Sequence, residues 1–273
     1  MVHKISSFST KPVKKCNRGG CIILFSKKSK ILLALLSVVV ALTICTSFVL
    51  VFANTRLVPV YKVKRQDNKI AISFDAAWGA DKTLGILDIC DQYGVKVTFF
   101  LVSFWMEAYP DMVAEIARRG HEIGTHSKTH PQMSKLSKEE IKEELTYSVG
   151  QIVAITGQEV TLFRPPFGDY DNKLIDVATS LNLATIQWSV DSLDWKGLSG
   201  QEIATRVQKA KPGDIILCHN NSDHILDALP AIFQWAKIKG LEFVTIGQLL
   251  HQNYTIEKDG TMVPTDKITG DFK

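Results

Sequence analysis

The chain has 273 residues, of which 45% are hydrophobic and 22% charged, and its formal net charge is +4. This composition is that of a protein with a sizeable apolar core, which excludes a disordered chain. Residues 1–30 hold eight lysines and arginines and no acidic residue, which leaves 24 basic and 28 acidic residues elsewhere. The main part of the chain is therefore slightly acidic, which excludes a nucleic-acid-binding protein of the usual basic kind.

An uncharged run of 23 residues, from Ile31 to Ala53, follows the basic segment. A helix of about 20 apolar residues crosses a bilayer, so the run predicts a transmembrane signal-anchor helix. By the positive-inside rule, residues 1–30 form a basic cytoplasmic tail, and the chain after residue 54 lies outside the cell membrane as part of a single-pass protein. Cleavage after Ala53 is the alternative, although a signal-peptide core is usually about 7–15 residues long.

Strand-like and helix-like segments then alternate as far as about residue 250. The predicted strands are 69–74, 95–101, 121–124, 161–164, 183–190, 215–219 and 241–245. The predicted helices are 84–93, 110–119, 137–156, 172–180, 200–210 and 225–239. This alternation predicts a parallel sheet with right-handed crossovers, either closed as a barrel or open and doubly wound. The polar residues 54–67 predict a linker, 68–252 the main domain, and 253–273 a polar C-terminal tail.

Polar side chains stand where the predicted strands end. In a barrel of parallel strands, chemistry takes place at the carboxyl ends of the strands. The polar residues at those ends are Asp75, His126, His130, Arg164, Asp191, Asp194 and His219. No glycine-rich nucleotide-binding loop follows any predicted strand, so a hydrolytic site is favoured over a nucleotide site.

Two of these residues, His126 and His130, are spaced four apart. One helical turn would bring both imidazoles to the same face, where they could bind one ion, and neutral imidazole suits zinc and its neighbours. Two metal-bound histidines, a free carboxylate and a separate histidine are the equipment of metal-assisted hydrolysis. In such a reaction the carboxylate takes a proton from water, and the separate histidine protonates the leaving group.

Five segments, in chain order, resemble the five motifs of the polysaccharide deacetylases, also called the NodB-homology group or carbohydrate esterase family 4. They are Ser73–Gly79, His126–His130, Arg164–Gly168, Asp191–Trp195 and Leu217–His219. The resemblance covers about residues 68–250 and implies an α/β fold, a distorted (β/α)7 barrel of the NodB type. It further implies metal-dependent removal of N-acetyl groups from GlcNAc-containing glycans, such as peptidoglycan or chitooligosaccharides. With its N-terminal anchor the chain also looks like the sporulation-type peptidoglycan deacetylases of spore-forming bacteria, and a monomer is expected.

The resemblance implies roles for four catalytic residues. Asp75 matches the general base, and Arg164 matches the arginine that orients it and tunes its pKa. His219 matches the general acid, and Asp194 matches the carboxylate that orients it. These roles agree with general electrostatics, because a neighbouring arginine lowers a carboxyl pKa and a neighbouring carboxylate raises a histidine pKa.

The resemblance also implies the binding residues. His126 and His130 match metal ligands, and the expected metal is divalent: zinc, with cobalt, nickel or manganese as alternatives. The backbone N–H of Phe167 matches the donor to the oxyanion, and Trp195 and Leu217 match the apolar pocket for the acetyl methyl group. Asp191 opens the fourth motif, where a loop-shaping role and a place in the substrate groove both remain open.

One position departs from the family pattern. The first motif usually reads F-D-D, with its second aspartate as third metal ligand, and here that position is Ala76. A catalytic zinc usually has three protein ligands, so the substitution predicts a weaker or unusual metal site. We therefore expect Ala76→Asp to tighten metal binding. Asp81 is a conceivable substitute ligand, although a capping role for the next helix is favoured.

Two other functions stay open beside the N-deacetylase. The same site could hydrolyse an O-acetyl ester, as on acetylated xylan, and Ala76 motivates a catalytically silent glycan-binding wall protein. Trp78 and Trp105 follow the first two strands and could either stack on sugar rings or belong to the core. On the helix 137–156, the acidic residues Glu139, Glu140, Glu143 and Glu144 predict a solvated face.

Overall fold

The computed structural model describes residues 13–17, 20–24, 27–53 and 56–265. It divides into two compact units, Met1–Thr55 and Arg56–Lys273. In the first unit, strands β1 (Val13–Asn17) and β2 (Gly20–Leu24) pair antiparallel and precede helix α1 (Lys27–Ala53), which contains the uncharged run. Much of the predicted basic tail lies outside the described residues. Among the residues that are described, no helix is both long enough and apolar enough to cross a membrane.

The second unit is an alternation of strands and helices. Its strands are β3 (Lys62–Val63), β4 (Lys69–Ala76), β5 (Thr98–Leu101), β6 (Glu122–Thr125), β7 (Leu162–Phe163), β8 (Ala184–Thr185), β9 (Val190–Asp191), β10 (Ile215–His219), β11 (Glu242–Phe243), β12 (Tyr254–Ile256) and β13 (Thr261–Pro264). Its helices are α2 (Thr83–Tyr93), α3 (Ser103–Ala108), α4 (Pro110–Arg118), α5 (Lys138–Thr156), α6 (Asn172–Ser180), α7 (Gly200–Val207), α8 (Ile225–Lys239) and α9 (Ile246–Leu249). All six predicted helices are therefore confirmed, while α3 and α9 were not predicted.

The central sheet is parallel, with the strand order β8-β7-β6-β5-β4-β10-β9, and β11 pairs with the beginning of β4. The predicted strand 183–190 is divided into two short strands. One of them, β8, pairs with β7, and the other, β9, pairs with β10. Both pieces belong to one continuous segment, which therefore brings the two edges of the sheet together. The sheet is curled into a distorted barrel with helices around it, which confirms the predicted barrel over an open doubly wound sheet.

The alternation of side chains along β4 separates two apolar clusters, since neighbouring residues of a strand face opposite ways. Ile70, Ile72, Phe74 and Ala76 belong to the larger cluster, which the surrounding helices complete. Ala71 belongs to the smaller cluster, together with residues of other strands. Odd-numbered residues of β4 thus face the barrel interior, and the last of them is the aspartate at the rim.

Residues 58–65, which we call the seam segment, close the barrel beside the β8–β9 break. Val60 bridges to Ile186, and β3 pairs in parallel with β13. Val60 and Val63 are buried, and Val63 N–H donates to the Gly213 carbonyl at 2.8 Å. The predicted linker is therefore corrected at this point, because its apolar residues pack into the compact unit. The predicted tail is corrected in the same way as far as residue 265; its last residues, 266–273, lie outside the described residues.

Candidate active site

A cavity of about 510 Å³ opens at the carboxyl end of the barrel strands. Eight of the ten predicted site residues line it: Asp75, His126, His130, Phe167, Asp191, Trp195, Leu217 and His219. The other two, Arg164 and Asp194, are buried directly behind members of this group. A second cavity, of about 400 Å³, contains none of the predicted residues. The residues selected from the sequence therefore converge on a single site.

Asp75 is held by a buried arginine. Arg164 Nη1 lies 2.8 Å from Asp75 Oδ1 and 2.8 Å from Ser73 Oγ, and its Nη2 donates to the Gln187 carbonyl at 3.2 Å. Burial is the largest single influence and would raise the pKa of Asp75, but the charges of Arg164, His126 and His219 and the hydrogen bond from Arg164 together hold the pKa below its usual value. Asp75 is therefore ionised at neutral pH and has one fixed orientation.

His219 is held by a buried carboxylate. Asp194 Oδ1 lies 2.7 Å from His219 Nδ1, and Asp194 Oδ2 accepts the backbone N–H of His219 at 2.7 Å. Burial alone would lower the pKa of His219, but the hydrogen bond and the charge of Asp194 raise it above the usual value. The Nε2 side of the ring, opposite the carboxylate, is left for contact with other groups.

Asp75 and His219 lie in the carboxyl-terminal parts of two neighbouring parallel strands, β4 and β10, and they are register partners. Adjacent strands lie about 4.8 Å apart, so the backbone ladder itself sets the separation of these two side chains. Both face the cavity. A reacting group in the cavity would therefore meet the Asp75 carboxylate on one side and the His219 imidazole on the other.

The two spaced histidines lie in a loop, which corrects the helical turn expected from their spacing. Ser127 and His130 have φ values of 75° and 58°, in the left-handed region. The Arg164 carbonyl lies 2.7 Å from His126 Nδ1 and can only accept, so Nδ1 carries the proton and Nε2 has a free lone pair. The ring centroids of His126 and His130 are 4.9 Å apart. The loop therefore achieves the convergence that a helix was expected to provide.

Both imidazoles are neutral at neutral pH. Burial lowers the pKa of His126, and burial together with the charge of His126 lowers the pKa of His130 to about 4. His126 Nε2 lies 3.6 Å from Asp75 Oδ2. Neutral imidazoles with free lone pairs are suited to a cation, since a metal ligand must be unprotonated.

The histidine loop is held by Glu144, which the sequence reading assigned to a solvated face. Glu144 Oε2 accepts the backbone N–H groups of Lys128 and Thr129, at 2.9 and 2.8 Å, and Oε1 accepts the Thr129 hydroxyl at 2.6 Å. The side chain is buried. A signal in the sequence could have identified it, because Glu144 lies on the same face of α5 as Ile141 and Ser148.

The donor set is short of a third metal ligand. Within the described residues there is no group of three or more histidine, cysteine, aspartate or glutamate side chains that could hold a metal ion. Ala76 is fully buried and belongs to the cluster that faces the helices, whereas its neighbour Ala77 lines the cavity. The residues present therefore do not fit a cation held by three protein ligands, and position 76 faces away from the site. Asp81 is paired with Lys82 at 2.7 Å.

The remaining predicted residues differ in exposure. Phe167 and Trp195 are exposed at the rim, and Phe167 has a φ of 60°. Leu217 is buried and lines the wall. Asp191 Oδ1 accepts the Leu193 N–H at 2.9 Å, a contact that shapes its loop. The roles of these residues in substrate binding stay predictions, and so does the role of the Phe167 N–H as a donor to the oxyanion.

Comparison with known proteins agrees with this geometry. Residues 62–186 match the family described as polysaccharide deacetylase. A peptidoglycan-N-acetylglucosamine deacetylase of Bacillus cereus is 31% identical over 200 residues, which are 71% of this chain and 93% of that protein. A second B. cereus protein of the same name is 35% identical over 183 residues, 65% of this chain and 66% of that protein. The chain spans 43% of the length of a peptidoglycan-N-acetylglucosamine deacetylase of Listeria monocytogenes and 61% of the length of a Bacillus subtilis relative, so it covers less than two thirds of several curated relatives.

Solved structures show the same barrel. A peptidoglycan N-acetylglucosamine deacetylase has a TM-score of 0.68 and 32% identity, with 70% of this chain and 91% of that chain covered. A carbohydrate esterase family 4 pseudoenzyme of Bacillus anthracis has a TM-score of 0.68 and 31% identity, with 70% and 68% covered. A variant of that pseudoenzyme has restored enzymatic activity. The barrel, the order of the five motifs and a relative matched over nearly its whole length lead to one assignment: this chain belongs to the polysaccharide deacetylase family.

Proposed function

We propose that the chain is a hydrolase that removes N-acetyl groups from a GlcNAc-containing glycan. The observation that carries the proposal is the pair of register partners Asp75 and His219, which face one cavity, with the pKa of the first lowered and the pKa of the second raised. Each of the two has its own buried partner, Arg164 or Asp194. This is the arrangement that a base and an acid need to act on one bond.

In the proposed reaction Asp75 takes a proton from a water molecule, whose oxygen adds to the carbonyl carbon of the acetamido group. Its lowered pKa keeps Asp75 ionised, and Arg164 keeps the carboxylate oriented toward the cavity. Ser73 Oγ shares the same guanidinium nitrogen, which fixes the arginine in turn. The base is thus ready before any substrate binds.

His219 then donates its proton to the nitrogen of the leaving amine as the carbon–nitrogen bond breaks, which yields acetate and a free amino sugar. The raised pKa of His219 favours the protonated ring that a general acid needs. Asp194 fixes the ring orientation through Nδ1, so that Nε2 faces the leaving group. The two protons that the reaction moves are therefore assigned to two groups of this chain.

The substrate part of the proposal is supported by relatives named as peptidoglycan-N-acetylglucosamine deacetylases. The test is acetate release from peptidoglycan, chitooligosaccharides and O-acetylated xylan, each with a chelator and with added zinc. Release from the N-acetylated glycans is expected. Release from the acetylated xylan alone would replace the N-deacetylase with an O-acetyl esterase.

A catalytically silent glycan-binding protein is the second candidate. Two observations favour it: the described residues offer no third metal ligand, and one structural relative is a pseudoenzyme. No acetate release from any glycan at any metal concentration, together with measurable glycan binding, would establish this candidate in place of the enzyme.

Metal dependence is a separate part of the proposal, and it rests on the two neutral imidazoles. We propose that a divalent cation, with zinc expected, binds between His126 and His130 and that water completes its coordination. Calorimetric titration with zinc tests this directly. Binding should be weak in the unaltered protein and absent after His126→Ala; equal binding by both would place the cation elsewhere.

Location is a further part of the proposal. The uncharged run 31–53 and the basic residues before it support a single-pass anchor with the barrel unit outside the bacterial cell, facing the wall. Membrane fractionation, followed by protease treatment of intact cells, tests the arrangement; full-length protein in the soluble fraction would contradict it. A monomer and a role in sporulation remain predictions, which light scattering and timed expression would test.

A further inference from the structure

Four rings form a continuous row that runs along the mouth of the cavity. We call Phe104, Trp78, His130 and Phe167 the aromatic row. Neighbouring ring centroids lie 6.4, 5.2 and 4.6 Å apart, with interplanar angles of 49°, 69° and 71°. Trp78, His130 and Phe167 line the cavity, whereas Phe104 does not. Three rings of the row therefore share the cavity with Asp75 and His219, and the fourth extends the row beyond the cavity lining.

The row is exposed to an unusual degree for large apolar side chains. Trp78 is 59% exposed, Phe167 66% and Phe104 38%. Trp105, which the sequence offered as a second sugar-stacking candidate, is only 1% exposed and belongs to the core. Exposed apolar area beside a polar site is a mark of a binding surface.

The loop that carries Trp78 is held by hydrogen bonds from two buried side chains, Trp105 and Asn220. The Gly79 carbonyl accepts the Trp105 Nε1–H at 2.7 Å and an Asn220 Nδ2–H at 2.8 Å, and Asn220 also donates to Thr83 Oγ1 at 3.1 Å. Asn220 is fully buried. Gly79 has a φ of 62°, which a residue with a side chain adopts only with strain. The exposure of Trp78 is thus built into the fold, and a ligand would not have to order the loop.

The chemistry of the row suits a sugar. A pyranose ring has a face of C–H groups that packs on an aromatic ring, while its hydroxyl groups stay in water at the edges. Phe104, Trp78 and Phe167 carry no charge and present polarizable rings, as this packing requires. Because the row passes beyond the cavity, it matches a chain of sugars better than a single one.

We propose that Trp78, with Phe104 beyond it, forms a stacking subsite for the sugar next to the one that reacts. The inference rests on the proposed function for what happens inside the cavity, but the subsite itself needs only a glycan chain. It makes Trp78 a residue that selects oligosaccharides over single sugars. It also makes the rim after β4 a substrate-binding element in place of a metal-binding one.

The test measures chitooligosaccharide binding by calorimetry in an Asp75→Asn background, where hydrolysis is silenced. Trp78→Ala should weaken binding of the tetrasaccharide about tenfold, Phe104→Ala about threefold, and neither should change binding of N-acetylglucosamine itself. Tyr254→Ala is the matched control, since Tyr254 is 39% exposed and lies in β12, away from the row. Unchanged tetrasaccharide binding in Trp78→Ala would overturn the proposal, and so would an equal loss for the monosaccharide.

A second measurement covers the case in which Trp78→Ala fails to fold. In the unaltered protein, the indole N–H signal of Trp78, assigned by its absence in Trp78→Phe, should shift with tetrasaccharide and not with N-acetylglucosamine. A signal that stays in place at saturation would contradict the subsite. Binding that depends on Trp78 without any acetate release would retain the subsite and reject the enzyme. Acetate release whose KM does not depend on Trp78 would retain the enzyme and reject the subsite.

Discussion

The cavity has two halves that are built in different ways. The acid–base half places Asp75 and His219 on paired strands, with Arg164 and Asp194 buried behind them. The histidine half places its two imidazoles on a loop with left-handed residues, and that loop depends on hydrogen bonds to Glu144. The first half is complete, and the second lacks a third metal ligand in the described part of the chain.

The difference shows that the sheet alone fixes the separation of Asp75 and His219, whereas the positions of His126 and His130 depend on further side chains. A strand pair fixes the separation of two side chains through the sheet ladder, whereas a loop needs a side chain such as Glu144 to give it one shape. The two halves should therefore fail separately. Changes in the acid–base half should remove turnover and leave the fold intact, and changes in the histidine half should alter cation affinity first.

The largest expected effect is in the acid–base half. Asp75→Asn or His219→Ala should lower kcat by about 10³-fold or more, since each removes a proton-transfer group and, for Asp75, the anion as well. Acetate release at saturating glycan measures it, and circular dichroism checks that the fold is kept. Turnover within threefold of the unaltered protein in both variants would show that the base and acid are misassigned.

The next effect separates positions 76 and 77. Ala76→Asp should destabilise the protein by about 3 kcal/mol, because it puts a carboxyl group into an apolar cluster, and it should not tighten zinc binding as the sequence suggested. Ala77→Asp is the comparison, since Ala77 lines the cavity. Urea unfolding and zinc titration are the measurements. A stable Ala76→Asp protein with tighter zinc binding would mean that position 76 turns toward the histidines.

The pH profile isolates the Asp194–His219 contact. Because Asp194 raises the pKa of His219, the acid stays protonated above pH 6.5, and activity should fall only as pH rises through the raised value. Asp194→Asn removes that charge, so the alkaline limb of kcat/KM should move to lower pH, and kcat should fall about 10²-fold. An alkaline limb in the same place would assign it to another group.

The same contact makes a prediction about stability. A raised pKa in the folded state means that the ion pair stabilises the fold fully below the unfolded pKa of about 6.5 and that this contribution is lost as pH rises through the folded value. The contribution of this contact to the free energy of unfolding should therefore decline as pH rises above about 6.5 in the unaltered protein, and less so in Asp194→Asn, as urea unfolding at several pH values would measure.

The smallest expected effect tests Glu144 as a positioning residue. Glu144→Ala should weaken zinc binding and lower kcat about tenfold, with KM nearly unchanged, because the loop loses three hydrogen bonds that aim the imidazoles. Glu143→Ala is the control, since Glu143 is exposed and pairs with Lys128 Nζ at 2.9 Å. Equal losses in both variants would reduce Glu144 to a structural role, and partial recovery in Glu144→Gln would support positioning.

The sequence predicted the regular parts of the fold well. Helices α6 and α8 occur at their predicted bounds, and β10 does as well, because apolar period and capping signals are local. The seam segment was missed because β3 is two residues long and is stabilised by partners more than 100 residues away. The 183–190 strand was predicted whole, since nothing in its composition marks the break that tertiary contacts impose.

The site was predicted through motifs more than through geometry. The motifs identified eight residues that line one cavity. The sequence explained the convergence of His126 and His130 by a helical turn, whereas in the structure a loop brings them together. Glu144 was missed because four glutamates on one helix suggested solvent, whereas Glu144 is buried and accepts backbone N–H groups of the histidine loop. The sequence predicted a metal-ligand position at Ala76 from its place in the motif. The structure shows that the residue belongs to the apolar cluster between β4 and the helices, which the motif alone does not reveal.

The seam segment has a consequence for the order of folding. Lys62 and Val63 pair with Thr261 and Met262, so the first strand of the unit finds its partner only after about 200 further residues have been made. Contacts of such long range form slowly. During synthesis the pairing of β3 with β13 therefore becomes possible later than the contacts of Val60 with Ile186 and of Val63 with Gly213. A polypeptide that ends before β13 would keep those two contacts and leave β3 without its partner strand.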